Sequence, residues 1–141
     1  MTSHRNHDAT YATMCSALGL SARDIAEIGG FSERFARDLL AGRRPFPRDT
    51  KNALFQLWKH FKQIIKSVKD DVAHGANVLY IYRTNEQLRS SPASKAWPAV
   101  GMAAGAFVGP YRAVMFEIWE WASEVNQQPV SLVFAETPGA N

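Results

Sequence analysis

The stretch from Ser21 to Gly42, SARDIAEIGGFSERFARDLLAG, leaves few arrangements open. Two short apolar-periodic segments flank a double glycine. Ser21 precedes the first segment and Asp24 follows three residues later, a capping-box pattern with Asp in place of the usual Glu or Gln. Ile25, Ala26 and Ile28 then share a helical face. Gly29-Gly30 predicts the end of that helix, because glycine enters the left-handed conformation without a Cβ penalty. Phe31 follows as an expected buried plug. Ser32 caps a second helix whose inward face is Phe35, Ala36, Leu39 and Leu40, and Gly42 closes it. Two helices that cross steeply need a small side chain on each at the contact, here Ala26 and Ala36.

This spacing resembles the lambda-repressor/Cro-like (XRE) helix-turn-helix family. Counting from Ala22, the family's fifth-position Ala is Ala26, its ninth-position Gly is Gly30, and its tenth-position hydrophobe is Phe31. Its fifteenth and eighteenth apolar positions are Ala36 and Leu39. Gly19-Leu20-Ser21 is similar to the family's lead-in and Ala41-Gly42 to its exit. The chain departs from the pattern at Ala22, where a Gln is common, and at Phe35, where a polar group is common. The resemblance implies that the second helix, residues 32–40, enters the major groove of DNA. Ser32, Glu33, Arg34 and Arg37 are then the candidate base contacts, with an arginine bidentate to guanine and Glu33 accepting from cytosine. Asp38 is expected to hold an arginine in place.

Charge is distributed in a way that fits such a partner. Between Arg34 and Lys69 there are ten Lys and Arg against Asp38 and Asp49, a net of +8 in a chain whose formal net charge is +3. From Ala76 onward four bases meet five acids, a net of −1. A basic block over a neutral remainder points to a polyanion for the first half only. Arg43, Arg44, Arg48 and Lys51 crowd the proline-containing connection after Gly42. They are the candidate phosphate contacts, which supply affinity without sequence information.

Residues 1–8 form a polar leader. Ala9 to Leu18 is a first helix with Tyr11, Met14, Cys15 and Leu18 on one face. Cys15, the only cysteine, is expected as a buried thiol. Arg48 to about Ala73 is the longest helical signal. Leu54, Leu57, Phe61, Ile64 and Val68 form its stripe, widened by Phe55, Trp58, Ile65 and Val72. At 1.5 Å per residue it runs ~40 Å, too long for the first module alone. It is expected to bridge to the second half or to pair with another copy. NVLYIY, residues 77–82, is a strand. Thr84 to Gln87 starts a short helix that dies at Ser90-Ser91-Pro92. From Ala96 to Val125 the pattern predicts two helical pieces separated by Gly109-Pro110. Gly101, Gly105 and Gly109 recur at every fourth residue, which predicts a glycine groove along one helical face. Val114, Met115, Ile118, Trp119 and Trp121 are expected in a core or an interface, and Glu117, Glu120 and Glu124 on a solvated face. Residues 129–134 are read as a last strand.

The chain shows no nucleophile elbow, no phosphate-cradling loop followed by Lys-Ser/Thr, and no partner for His60 or His74 at a recognisable spacing. His4 and His7 have metal-like spacing but no carboxylate or cysteine beside them. The expectation is no enzyme, no cofactor and no metal. The longest apolar run falls short of a membrane span and no N-terminal signal is visible, so a cytoplasmic protein without a membrane contact is expected.

The order of helix-turn-helix, long helix, LYIYRTNEQLRSSP and a Trp-led helix is also similar to small phage and bacterial repressors of the anti-CRISPR-associated (Aca) type. Leu79 to Tyr82, Glu86-Gln87-Leu88 and Trp97 carry that likeness. It implies a C-terminal domain that makes a homodimer reading an inverted repeat. Tyr80, Tyr82, Trp97, Gly101, Gly105 and Trp119 are the candidate dimer contacts. The fold expected is mainly α. An N-terminal helix-turn-helix bundle (9–58) is followed by the remainder of a long connecting helix (59–75). A small C-terminal α+β domain with one or two short strands (76–135) and a tail (136–141) complete it. The function expected is a DNA-binding transcriptional repressor acting on double-stranded DNA. The alternatives are an antitoxin-like module with an additional protein partner and an RNA-binding regulator.

Overall fold

A computed structural model describes residues 8–125 and 129–136. The chain is mainly helical, with a small two-stranded parallel sheet near its C-terminal end. The leader histidines His4 and His7 lie outside the described residues.

Helix α1 spans Thr10–Ala17 and turns Cys15 inward, with Leu18 just beyond it fully buried. Helix α2 spans Ala22–Gly29 and begins on a complete capping box. Ser21 Oγ accepts the Asp24 N–H at 3.1 Å, and Asp24 Oδ2 accepts the Ser21 N–H at 3.0 Å. Gly30 ends the helix at φ 73°, a left-handed backbone that most side chains resist. Helix α3 spans Glu33–Leu40, capped by Ser32 Oγ accepting the Phe35 N–H at 3.0 Å. Ala36 and Leu39 are buried, as the inward face requires. Phe31 is only half-buried and stands edge-on to Phe35, with ring centroids 4.8 Å apart.

Helix α4 runs from Arg48 to Ala73 over 26 residues, starting after Pro47. It buries Ala53, Leu54, Leu57, Phe61 and Val72 and packs against α1, α2 and the later helix Val108–Glu124, so it bridges the two halves within one chain. Phe55 does not widen the buried stripe. It sits one residue, or about 100° of helix rotation, past Leu54. It is 49% exposed, with Lys59 Nζ 5.3 Å from its ring centre.

Strand β1 (Val78–Ile81) leads to α5 (Asn85–Arg89), a 3-10 turn (Pro92–Ala96), α6 (Val108–Glu124) and strand β2 (Ser131–Phe134). The strands pair in parallel from Val78 opposite Ser131 to Ile81 opposite Phe134. A parallel pair needs a long crossover, and α6 supplies it. Leu79 and Ile81 are buried, while Val78, Tyr80 and Val133 form an open outer face.

Between Trp97 and Phe107 the chain is not helical, contrary to the four-residue glycine spacing. Gly109-Pro110 does not separate helices either; it lies in the first turn of α6, where the missing proline N–H has no intrahelical role. Gly101 and Gly109 meet the N-terminal module, and Gly105 meets α5, instead of forming a helical groove. Gly101 has φ +56°, and a Cβ there would strike the Ile28 carbonyl oxygen at the end of α2. A Cβ at Gly109 would strike the Gly19 carbonyl oxygen, and one at Gly105 would crowd the Arg89 side chain.

A polar seam runs along the same contact. Asp24 Oδ1 accepts from Asn85 Nδ2 at 3.0 Å, and Asn85 Oδ1 accepts the Val108 N–H at 2.7 Å. Glu27 Oε2 takes both Arg89 Nη2 and the Ala104 N–H at 2.9 Å. Arg89 Nε also donates to the Ala106 carbonyl at 2.8 Å, and the Met102 N–H donates to the Ile28 carbonyl at 2.8 Å. One apolar cluster continues from Cys15 through Leu57 and Phe107 to Val130. The helix-turn-helix therefore shares its core with the C-terminal half.

Candidate nucleic-acid interface

The capped pair α2 and α3 leaves one side of α3 free. Ser32, Glu33, Arg34 and Arg37 are all exposed there. Glu33 and Arg37, one turn apart, form an ion pair at 3.3 Å. That pair orients the guanidinium along the helix axis and contributes little to stability, because both side chains are solvated. Among the described residues Arg34 has no carboxylate within ion-pair distance.

The connection after α3 brings its cations to the same end of the molecule. Arg43 Nη1 donates to Asp38 Oδ1 at 3.1 Å, so Asp38 does hold an arginine. The Arg44 guanidinium lies 5.6 Å from the Phe35 ring centre. Phe31, Phe35 and Arg44 thus form a ladder from the helix-helix turn to the connection. Phe35 is the middle rung. Arg48 opens α4 and is exposed. Lys51, one turn on, lies 5.6 Å from the Tyr11 ring centre, and Tyr11 packs on Phe46 at 6.0 Å. Asp8, Tyr11, Arg44, Pro45, Phe46 and Lys51 enclose a notch of 220 Å³ beside these cations. The aromatic supports Tyr11, Phe35 and Phe46 escaped the sequence reading. No local signal marked them, because the rings and the cations they support are far apart in the chain, as Tyr11 and Lys51 are.

The other half of the basic block is placed differently. Lys62, Lys66 and Lys69 of α4 line a groove of 450 Å³ with Glu117, Glu120 and Glu124 of α6. Those glutamates are exposed, as a solvated face requires, and lie across the groove from the lysines with no ion pair between the two rows among the described residues. The net positive charge counted along the sequence is balanced at this end and concentrated at the α3 end.

The six residues picked as dimer contacts do not share a surface. Trp97 is 3% exposed and lies in the core, with its ring centre 6.4 Å from that of Tyr111. Gly101 and Gly105 face α2 and Arg89 within the chain. Tyr82 is half-buried, edge-on to Tyr111 at 5.3 Å. Tyr80 and Trp119 are exposed, Tyr80 on the outer face of the sheet and Trp119 on α6. Trp119 stacks on Phe116 at 5.6 Å, and Phe116 borders a hollow with Ile81, Arg112, Leu132 and Phe134. Phe116, Val133 and Phe134 are exposed apolar groups that the sequence reading did not single out.

No helix among the described residues is long and apolar enough to cross a membrane. Neither models of known protein families nor curated proteins match this chain.

Proposed function

We propose that the chain is a sequence-specific DNA-binding transcriptional regulator of the lambda-repressor/Cro-like kind, a cytoplasmic repressor related in plan to the Aca-type proteins. Helix α3 enters the major groove. Arg34 and Arg37 read bases with Ser32 and Glu33 beside them, and Arg43, Arg44, Arg48 and Lys51 hold phosphates. The observation that carries this reading is the meeting of two features at one end of the molecule. A doubly capped helix pair turns Arg34 and Arg37 outward, and the cations of the connection and of the start of α4 flank it. The chain acts as a homodimer on an inverted repeat with half-sites one helical turn, ~34 Å, apart. The exposed apolar side chains Phe116, Trp119 and Phe134 support pairing of two copies.

Footprinting of the full chain on the DNA upstream of its own gene tests the reading. Protection of a two-fold symmetric site is expected. Arg34→Ala should cost roughly 1–3 kcal/mol and relax one base position, while Arg44→Ala should weaken every site and reduce the salt slope by about 1. Loss of neither affinity nor salt dependence in the two variants would refute the placement. Sedimentation of Phe116→Asp should show monomers where the parent shows dimers.

A further inference from the structure

A cleft of 280 Å³ lies between the C-terminal part of α4, strand β1 and the 3-10 turn. Val68, Asp71, Tyr80, Tyr82, Trp97 and Tyr111 are among its walls. The aromatic wall is rigid. Tyr111 donates its hydroxyl to the Tyr80 carbonyl at 2.6 Å, and its ring contacts both Tyr82 and Trp97. Asp71 is the one charged side chain in the lining. Its neighbour Asp70 faces His74 Nδ1 at 3.6 Å; the Asp71 charge reaches the same imidazole from farther off, and no cation among the described residues stands within ion-pair distance of Asp71.

Rings elsewhere on the surface are treated otherwise. Phe35 carries Arg44, Phe55 carries Lys59, Trp121 carries Lys69, and Phe134 carries Arg83 and Arg112. Phe116 and Trp119 cover each other. The cleft alone combines several aromatic groups with a carboxylate and has no cation of the protein's own among the described residues, in a chain of net positive charge. Aromatic rings attract cations through their quadrupole, and a neighbouring carboxylate adds to the attraction.

We infer that this cleft binds a small amphiphilic organic ammonium ion, its apolar body between Val68 and the aromatic wall and its charged end at Asp71. The inference does not depend on DNA binding. The test uses the full chain with 2-phenylethylammonium chloride, and with 2-phenylethanol as a neutral probe of the same shape, at matched ionic strength. Amide and indole nitrogen–proton spectra and calorimetry are the readouts. Saturable binding of the ammonium ion is expected, with shifts at the Trp97 indole and the alcohol about tenfold weaker. Asp71→Asn should reduce the ammonium ion to the affinity of the alcohol, and Tyr80→Ala should weaken both. Both substitutions are at exposed positions, and circular dichroism checks that the variants fold. Equal affinity for the two probes, shifts centred on Trp119, or no saturable shift would overturn the inference. So would a dimer that Tyr80→Ala dissociates, because a second copy would then fill the cleft.

Discussion

Cys15 and Gly101 show how much single positions carry here. The Cys15 side chain is fully buried in α1, and burial pushes its thiol up to about 12 from an ordinary 9.0. A thiolate is the reactive form, so Cys15 should react with a disulfide reagent at pH 8 only as fast as the protein unfolds. Addition of denaturant should release one full equivalent at once; rapid labelling of the native chain would contradict the burial. The same shift has a sign for stability. The native state holds the proton more tightly than the unfolded one, so the thiol's contribution is intact below pH 9.0 and is lost as the pH rises from there through 12. At Gly101 two costs add on substitution. Any other residue must take a left-handed backbone, and its Cβ must displace the Ile28 carbonyl. Gly101→Ala should therefore destabilise by about 2–4 kcal/mol in a denaturant titration. A neutral result would mean that the contact between the 97–107 segment and α2 is not as described.

Elements were legible wherever one local signal settled them. Ser21 with Asp24, Ser32, and Thr84 each mark a helix start, and each side-chain oxygen accepts the expected N–H. The apolar stripe placed α4, because 26 residues give a periodicity that chance does not sustain. The segment from Trp97 to Phe107 failed because glycines four apart fit a helical face as well as three separate close approaches. Only the positions of Gly19, the end of α2 and Arg89, all remote in sequence, decide between them. Trp97 illustrates the same limit: an aromatic ring is legible as buried, but not whether its own chain or another copy buries it. The seam between α2 and α5 was invisible because Glu27 and Arg89 lie 62 residues apart. Arg89 spans Glu27 and the Ala106 carbonyl with a planar fork, over the Phe107 ring at 5.1 Å. Arg89→Ala should cost about 1.5–3 kcal/mol, the usual loss for a charge-assisted bond left unmade. Arg89→Lys should recover less than half of it, because an ammonium cannot reach both acceptors in one plane. Full rescue by lysine in thermal denaturation would show that charge alone holds the two halves together.

At the scale of the whole molecule the arrangement of charge matters more than its sum. The sequence places Lys62, Lys66 and Lys69 in one basic block with Arg43, Arg44 and Arg48. Packing of α6 on α4 sets three glutamates along the groove that holds the three lysines, whereas among the described residues Asp38, paired with Arg43, is the one carboxylate within ion-pair distance of those arginines. Mutual attraction across the groove lowers the potential that a polyanion would meet there, and the arginine end keeps its own. On the DNA-binding reading, only cations that replace counterions on phosphate contribute to the salt dependence, each by about 0.9 in the slope. The double variant Arg44→Ala/Arg48→Ala should then reduce the slope of log affinity against log salt by about 2. Lys62→Ala/Lys66→Ala removes the same formal charge and should leave the slope within about 0.5 of the parent. The two variants have equal net charge, so a non-specific attraction to DNA would make them alike. A matched loss in both would place the duplex along α4 and away from α3. A loss confined to the arginine pair is the result expected of a protein that grips DNA at one end and keeps the groove between α4 and α6 out of that contact.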